Sequence, residues 1–155
     1  MNILYLIDQL LCRGGTERHL YDLASGMANL GHKVLVVCLQ EGPFAAEFKA
    51  NKSLDYRCLN VERIYDARGV SGLYRLKCWL EEGEIDVLQT FHSGADLIGP
   101  VAAVWSRARP VVISSRRDLG YTKSARQLIL QRYLNKYVDR ILGNSEAVKQ
   151  VVVDQ

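Results

Sequence analysis

Three short clusters in this 155-residue chain carry side chains suited to chemistry, and each follows an apolar run. The first is His92, directly after Asp86-Val-Leu-Gln-Thr-Phe91. An imidazole there can move a proton near neutral pH or hydrogen-bond a ligand hydroxyl, and it can equally cap the helix that follows. The second is Gly14-Gly15-Thr16-Glu17, behind an extended stretch that ends at Asp8. Paired glycines at a helix start let an anion approach the backbone amides closely, and the same pair also permits a tight strand-to-helix turn. Glu17, in the first helical turn, complements the helix dipole or reaches a ligand hydroxyl. The third is Ser114-Ser-Arg-Arg-Asp118, whose guanidinium groups offer a planar fork for phosphate or carboxylate. Adjacent arginines point in different directions, so one of the two faces a cleft, and Arg116 is the preferred cleft cation.

The spacings also exclude chemistry. The glycine loop has neither the G-x-G-x-x-G of dinucleotide enzymes nor the G-x-x-x-x-G-K-[ST] of P-loop proteins. A nicotinamide site expects an acid ending the second strand, where Leu39-Gln40 stands with Glu41 one step later. His19, His32 and His92 are too scattered for a metal set, so no metal is expected, and no D-x-D motif occurs. Cys12, Cys38, Cys58 and Cys78 form no C-x-x-C pair, and Cys38 reads as a small core residue.

Alternating strands and helices must position these groups. Strands are predicted at 2–8, 33–39, 55–61, 86–91, 111–115 and 139–143. Helices are predicted at 16–30, 44–51, 73–82, 94–107 and 123–137, with a loop at Gly69 to Gly72 and a last helix from near Ser145. Asn144 and Ser145 suit the N-cap of that last helix. This order predicts an α/β fold: a doubly wound, Rossmann-like parallel sheet of six or more strands with helices on both faces. The first strand should be central, between the second and the fourth. Near the end, Leu130, Tyr133, Leu134, Tyr137, Val138 and Ile141 make an apolar stripe beside Arg132, Lys136 and Arg140. A helix over 123–141 with that pattern suits an anionic membrane surface, or a core-facing helix with a solvated back.

Composition sets the frame. The chain is 48% hydrophobic and 24% charged, ordinary values for a domain able to bury a core. A net charge of +3 does not argue for nucleic acid. No apolar run is long enough to span a bilayer and no signal-like start is present, so a cytoplasmic place is expected, with peripheral contact at the inner membrane face as a second option.

Taken in order, Gly14-Gly15-Thr16-Glu17, Gly31-His32-Lys33-Val34, Asp86 to His92, Ser114 to Asp118 and Gly143-Asn-Ser-Glu-Ala-Val148 form a pattern over nearly the whole chain. It resembles the amino-terminal half of a GT-B glycosyltransferase, most like family 4, the large retaining group. The resemblance implies that residues 1–155 are the acceptor-side Rossmann-like domain of a two-domain enzyme whose carboxy-terminal nucleotide-sugar domain is absent. It implies transfer of a sugar from a nucleotide-sugar donor to a glycan or lipid-linked acceptor, with no cofactor, and a fragment inactive alone. It places Gly14 and Gly15 toward the donor diphosphate and acceptor, Glu17 beside the acceptor site, and His92 beside the transferred sugar. The alternatives are a sugar-nucleotide epimerase of the same build and a non-catalytic ligand- or partner-binding domain.

Overall fold

Val34-Leu-Val-Val-Cys-Leu39 and Ile3-Leu-Tyr-Leu-Ile7 are almost unbroken apolar runs, which are stable as strands only in a sheet covered on both faces. They form β2 (Lys33–Gln40) and β1 (Asn2–Gln9) of such a sheet. The computed structural model describes residues 1–116 and 125–143. With β3 (Asp55–Cys58), β4 (Val87–Phe91), β5 (Val111–Arg116) and β6 (Arg140–Gly143), the six strands lie in the order β3-β2-β1-β4-β5-β6. Every pair is parallel, and β1 lies centrally between β2 and β4 as predicted.

Alternation along the strands divides the core into two layers. Ile3, Tyr5, Ile7 and Val36 pack under α1 (Gly15–Asn29) and α2 (Ala45–Ala50), against Leu20, Ala24 and Phe48. Leu4, Leu6, Val37 and Leu88 pack under α3 (Ala67–Glu82) and α4 (Ser93–Trp105), against Leu76, Leu80 and Ile98. Each fully buried aliphatic side chain contributes about 1.5–3 kcal/mol. Among the described residues the remaining helix is α5 (Ala125–Leu134), followed by a 3-10 turn over Asn135–Tyr137.

Three boundaries differ from the sequence reading. α3 starts at Ala67, so Gly69 and Gly72 lie inside the helix rather than in a loop. A Cβ at Gly69 would strike the Ile64 carbonyl and one at Gly72 would strike Val61, so close backbone approach overrides the low helix propensity of glycine. β3 stops at Cys58 instead of residue 61, because Asn60 turns to a φ of 50° that no strand accommodates. The segment 123–141 is not one helix. Within its described part, Val138 follows the 3-10 turn and Ile141 lies in β6, so the expected stripe is split between elements. Leu134 is buried while Ile129 and Tyr133 are exposed, and Lys136 sits over the Tyr133 ring at 3.6 Å. Among the described residues no helix is long and apolar enough to cross a membrane. Arg117, Asp118, Asn144, Ser145 and the predicted last helix lie outside the described residues.

Candidate active site

Strand order reverses between β1 and β4, and in open α/β sheets ligands bind beyond the carboxyl ends of strands at that point. The register pairs Ile7 with Phe91, so Asp8 and His92 are the next residues on adjacent strands there. Asp8, Gln9, Gln40, Glu62 and Gly94 line a depression of about 160 Å³, walled on one side by Leu39, Val61 and Ile64.

Asp8 closes the start of α4. Its carboxylate accepts from the Gly94 amide at 2.9 Å and the Ala95 amide at 2.5 Å, two of the donors a helix start leaves unsatisfied. Gly94 is required for this approach, since a Cβ there would lie 2.9 Å from Asp8 Oδ1. Burial holds the Asp8 carboxyl above the usual carboxylate range, opposed by those two amides and by His92, and reinforced by Asp96. A carboxyl raised on folding contributes stability that is complete below its unfolded pKa and is lost as pH rises through the folded one. Relative to Asp8→Asn, the natural protein should therefore lose stability as pH rises from about 3.9, the ordinary value, and level off above the raised pKa. Thermal unfolding of both across that range tests this; a natural protein that gains on the variant with rising pH would contradict it.

His92 stands at the N-cap of α4 with φ 72° and ψ 169° and makes no capping hydrogen bond through its side chain. That backbone region is essentially reserved for glycine and costs a side-chain-bearing residue of order 1–3 kcal/mol. The capping reading is thus not what the ring does; the cap is supplied by Asp8 from the neighbouring strand.

The glycine pair lies at the same end of the sheet, opening α1. Gly14 is the N-cap, and no side-chain bond caps the helix from it. A Cβ at Gly14 would meet the Glu17 carboxylate, so Gly14 and Glu17 are packed together. Gly15 is exposed, and a Cβ added there would meet nothing within 4 Å. The Glu17 carboxylate is the far end of a flexible side chain and can give way, so packing requires neither glycine. Arg13, beside them, pairs with Glu47 at 3.4 Å and lies 6.0 Å from the Phe44 ring.

Arg116, the expected cleft cation, ends β5 but is only 7% exposed. Its Nη2 donates to Asn135 Oδ1 at 2.5 Å and its Nε lies 3.9 Å from Asp96 Oδ2. Asp96, 5% exposed on α4, also accepts from Thr90 Oγ1 at 2.5 Å, Ser114 Oγ at 2.7 Å and Gln131 Nε2 at 3.4 Å. The arginine's charge is directed into this buried polar cluster, which ties β4, β5, α4 and α5 together behind the site. Sequence reasoning missed both Asp8 as the clasp and Asp96 as the centre of the cluster. An acid ending an apolar strand was the only available signal for the first; nothing local marks the second.

Six parallel strands with helices on both faces and a strand reversal between β1 and β4 make a Rossmann-like α/β fold. A family model described as Glycosyltransferase Family 4 matches residues 13–155, and the chain belongs to that family. No curated protein sequence matches it. Among solved structures, the Anabaena protein Alr3699/HepE in complex with UDP superposes with a TM-score of 0.81 at 19% identity, over 99% of this chain and 40% of that one. The lipopolysaccharide outer core galactosyltransferase WaaB gives 0.77 at 17% identity, over 99% and 42%. The UDP-GlcNAc 2-epimerase of Methanocaldococcus jannaschii gives 0.68 at 11% identity, over 99% and 42%. At such identities the likeness is one of fold. The chain spans about 40% of the length of these relatives.

Proposed function

We propose that the protein containing this chain transfers a sugar from a nucleotide-activated donor to a glycan or lipid-linked acceptor, with retention at the anomeric carbon, and that this chain forms the acceptor-side wall of the cleft. Membership of glycosyltransferase family 4 supports the reaction class. The observation that carries the site is His92, held at the strand reversal in a backbone conformation that costs a side-chain-bearing residue energy. In the reaction the bond from anomeric carbon to phosphate oxygen breaks, the acceptor oxygen bonds that carbon, and the acceptor proton leaves with the diphosphate. His92 hydrogen-bonds a hydroxyl of the transferred sugar and steadies the developing charge. The α4 amides are already taken by Asp8, so α1 is the helix start open to the donor diphosphate, with Gly15 giving it room and Glu17 reaching the acceptor. Arg116 acts from behind, through the Asp96 cluster.

UDP-sugars are the first donors to test, because the Anabaena relative was solved with UDP and with UDP-glucose. The full-length protein should release nucleoside diphosphate only when donor and acceptor are both present, and residues 1–155 alone should transfer nothing. Gly15→Ala separates this reading from a turn-forming role. The methyl group has space within the chain, and alanine is the better helix former by about 0.5–1 kcal/mol, so stability should hold or rise. Donor kcat/KM should nevertheless fall roughly 10- to 100-fold, as for a ligand displaced by about an ångström. Unchanged kcat/KM would reduce the glycine pair to a turn, and sugar interconversion without acceptor would favour the epimerase.

A further inference from the structure

β2 and β3 pair in parallel with Cys38 directly opposite Cys58. Residues so paired point to the same face, on strands about 4.8 Å apart. A disulfide requires Cα atoms roughly 4.4–6.8 Å apart and Cβ atoms roughly 3.5–4.5 Å apart; the strand spacing meets the first, and a small shift of the edge strand β3 toward β2 meets the second. Both are free thiols, and they pack on the same side of the sheet. Their access differs. Cys38 is fully buried, its Sγ 2.9 Å from the Tyr56 hydroxyl. Cys58 is half-buried on the edge strand, its Sγ 3.3 Å from Asn60 Oδ1 and accepting the Asn60 amide at 3.4 Å.

We infer that Cys38 and Cys58 are a dithiol modification site, closed to an intramolecular disulfide by exchange with a low-molecular-weight disulfide such as oxidised glutathione. The accessible Cys58 thiolate attacks one sulfur of that disulfide, forming a mixed disulfide and releasing one glutathione thiolate. Cys38 then loses its proton to a solvent base and attacks Cys58 Sγ; the protein disulfide forms and the second glutathione thiolate leaves. Two protein thiols are oxidised and one small disulfide is reduced to two thiols, so the exchange balances without another oxidant.

The two steps have different pH dependence. Burial pushes the Cys38 thiol up to about 12, and the groups facing it are Tyr56 and Cys58 on β3 and Glu41 beyond β2, with Lys49 of α2 pairing Glu41 and covering the Tyr56 ring. The thiolate is the attacking form, so closure by Cys38 is the slow step and speeds up as pH rises. The location gives the site its interest. Leu39 and Gln40 directly follow Cys38, while Val61, Glu62 and Ile64 follow Cys58, and these residues wall the depression beside Asp8. Closure would staple a four-residue edge strand to the sheet immediately beneath the cleft.

The test uses the full-length protein carrying Cys12→Ser, which removes an exposed thiol able to cross-link molecules. It is incubated, folded, with excess oxidised glutathione, then alkylated and digested without reduction for mass spectrometry. The expected product is a peptide pair joined through Cys38 and Cys58, preceded by glutathione on Cys58. Closure of that intermediate should accelerate about ten-fold per pH unit through the neutral range, as the thiolate fraction does. With Cys38→Ala added, the mixed disulfide at Cys58 should persist. A Cys58 adduct that never closes in the folded protein, an unmodified Cys58, or a 38–58 link seen only after denaturation would each overturn the inference.

Discussion

Replacing His92 by glycine should make the protein more stable and nearly inactive. At φ 72° and ψ 169° the histidine occupies backbone space open to glycine at no steric cost, so His92→Gly releases of order 1–3 kcal/mol of strain. Greater freedom of glycine in the unfolded chain returns about 0.5–1 kcal/mol. The net gain corresponds to a rise of a few degrees in Tm at roughly 2–4 °C per kcal/mol. Sugar transfer by the full-length enzyme should fall roughly ten- to a thousand-fold in kcat, the range for loss of a positioned catalytic group, with nucleotide binding little changed. His92→Ala keeps the strain and should show the same loss of turnover at unchanged Tm. Normal transfer in both variants would remove His92 from the mechanism; a large fall in Tm would make its ring a packing element.

Asp96→Ala should give the largest loss of stability. The carboxylate is 5% exposed and receives Thr90, Ser114 and Gln131, with the Arg116 guanidinium 3.9 Å away. Truncation leaves three donors and a buried cation to be satisfied by other means, and breaking a buried pair from one side costs about 3–5 kcal/mol. Domains of this kind are stable by only about 5–15 kcal/mol, so Tm should fall roughly 6–20 °C. Asp96→Asn, which retains shape and one acceptor, should cost less. Denaturant unfolding of the three proteins measures the series. Equal stability of Asp96→Ala and the natural protein would show that water replaces the carboxylate without loss.

The strands and their order could be read from sequence because the runs at Ile3–Ile7 and Val34–Leu39 admit few other structures, and His92 could be located because it ends such a run. What escaped depends on partners distant in the chain. Asp8 meets amides 86 and 87 residues away, and Asp96 meets Gln131 35 residues on, so neither role leaves a local pattern. Gly69 and Gly72 misled for the opposite reason: their local signal is strong, but the Ile64 carbonyl and Val61 press against the helix where side chains would stand. Arg116 was placed at the correct strand end, but the direction of its side chain is set by Asp96 and Asn135, which local sequence does not show. The stripe from Leu130 to Ile141 counts as one face only if the helix continues, and it ends at Leu134.

The link from Asp8 to α4 also bears on cooperativity. Helix starts ordinarily fray at little cost, independently of the rest of a protein. Here the first turn of α4 is clasped by the central strand, across 86 residues of intervening chain. Loosening the turn that carries His92 therefore also breaks both amide bonds to β1, so it costs more than ordinary fraying of a helix start. The geometry around His92 is in this sense tied to the central strand, and core damage that shifts the end of β1 will be felt there.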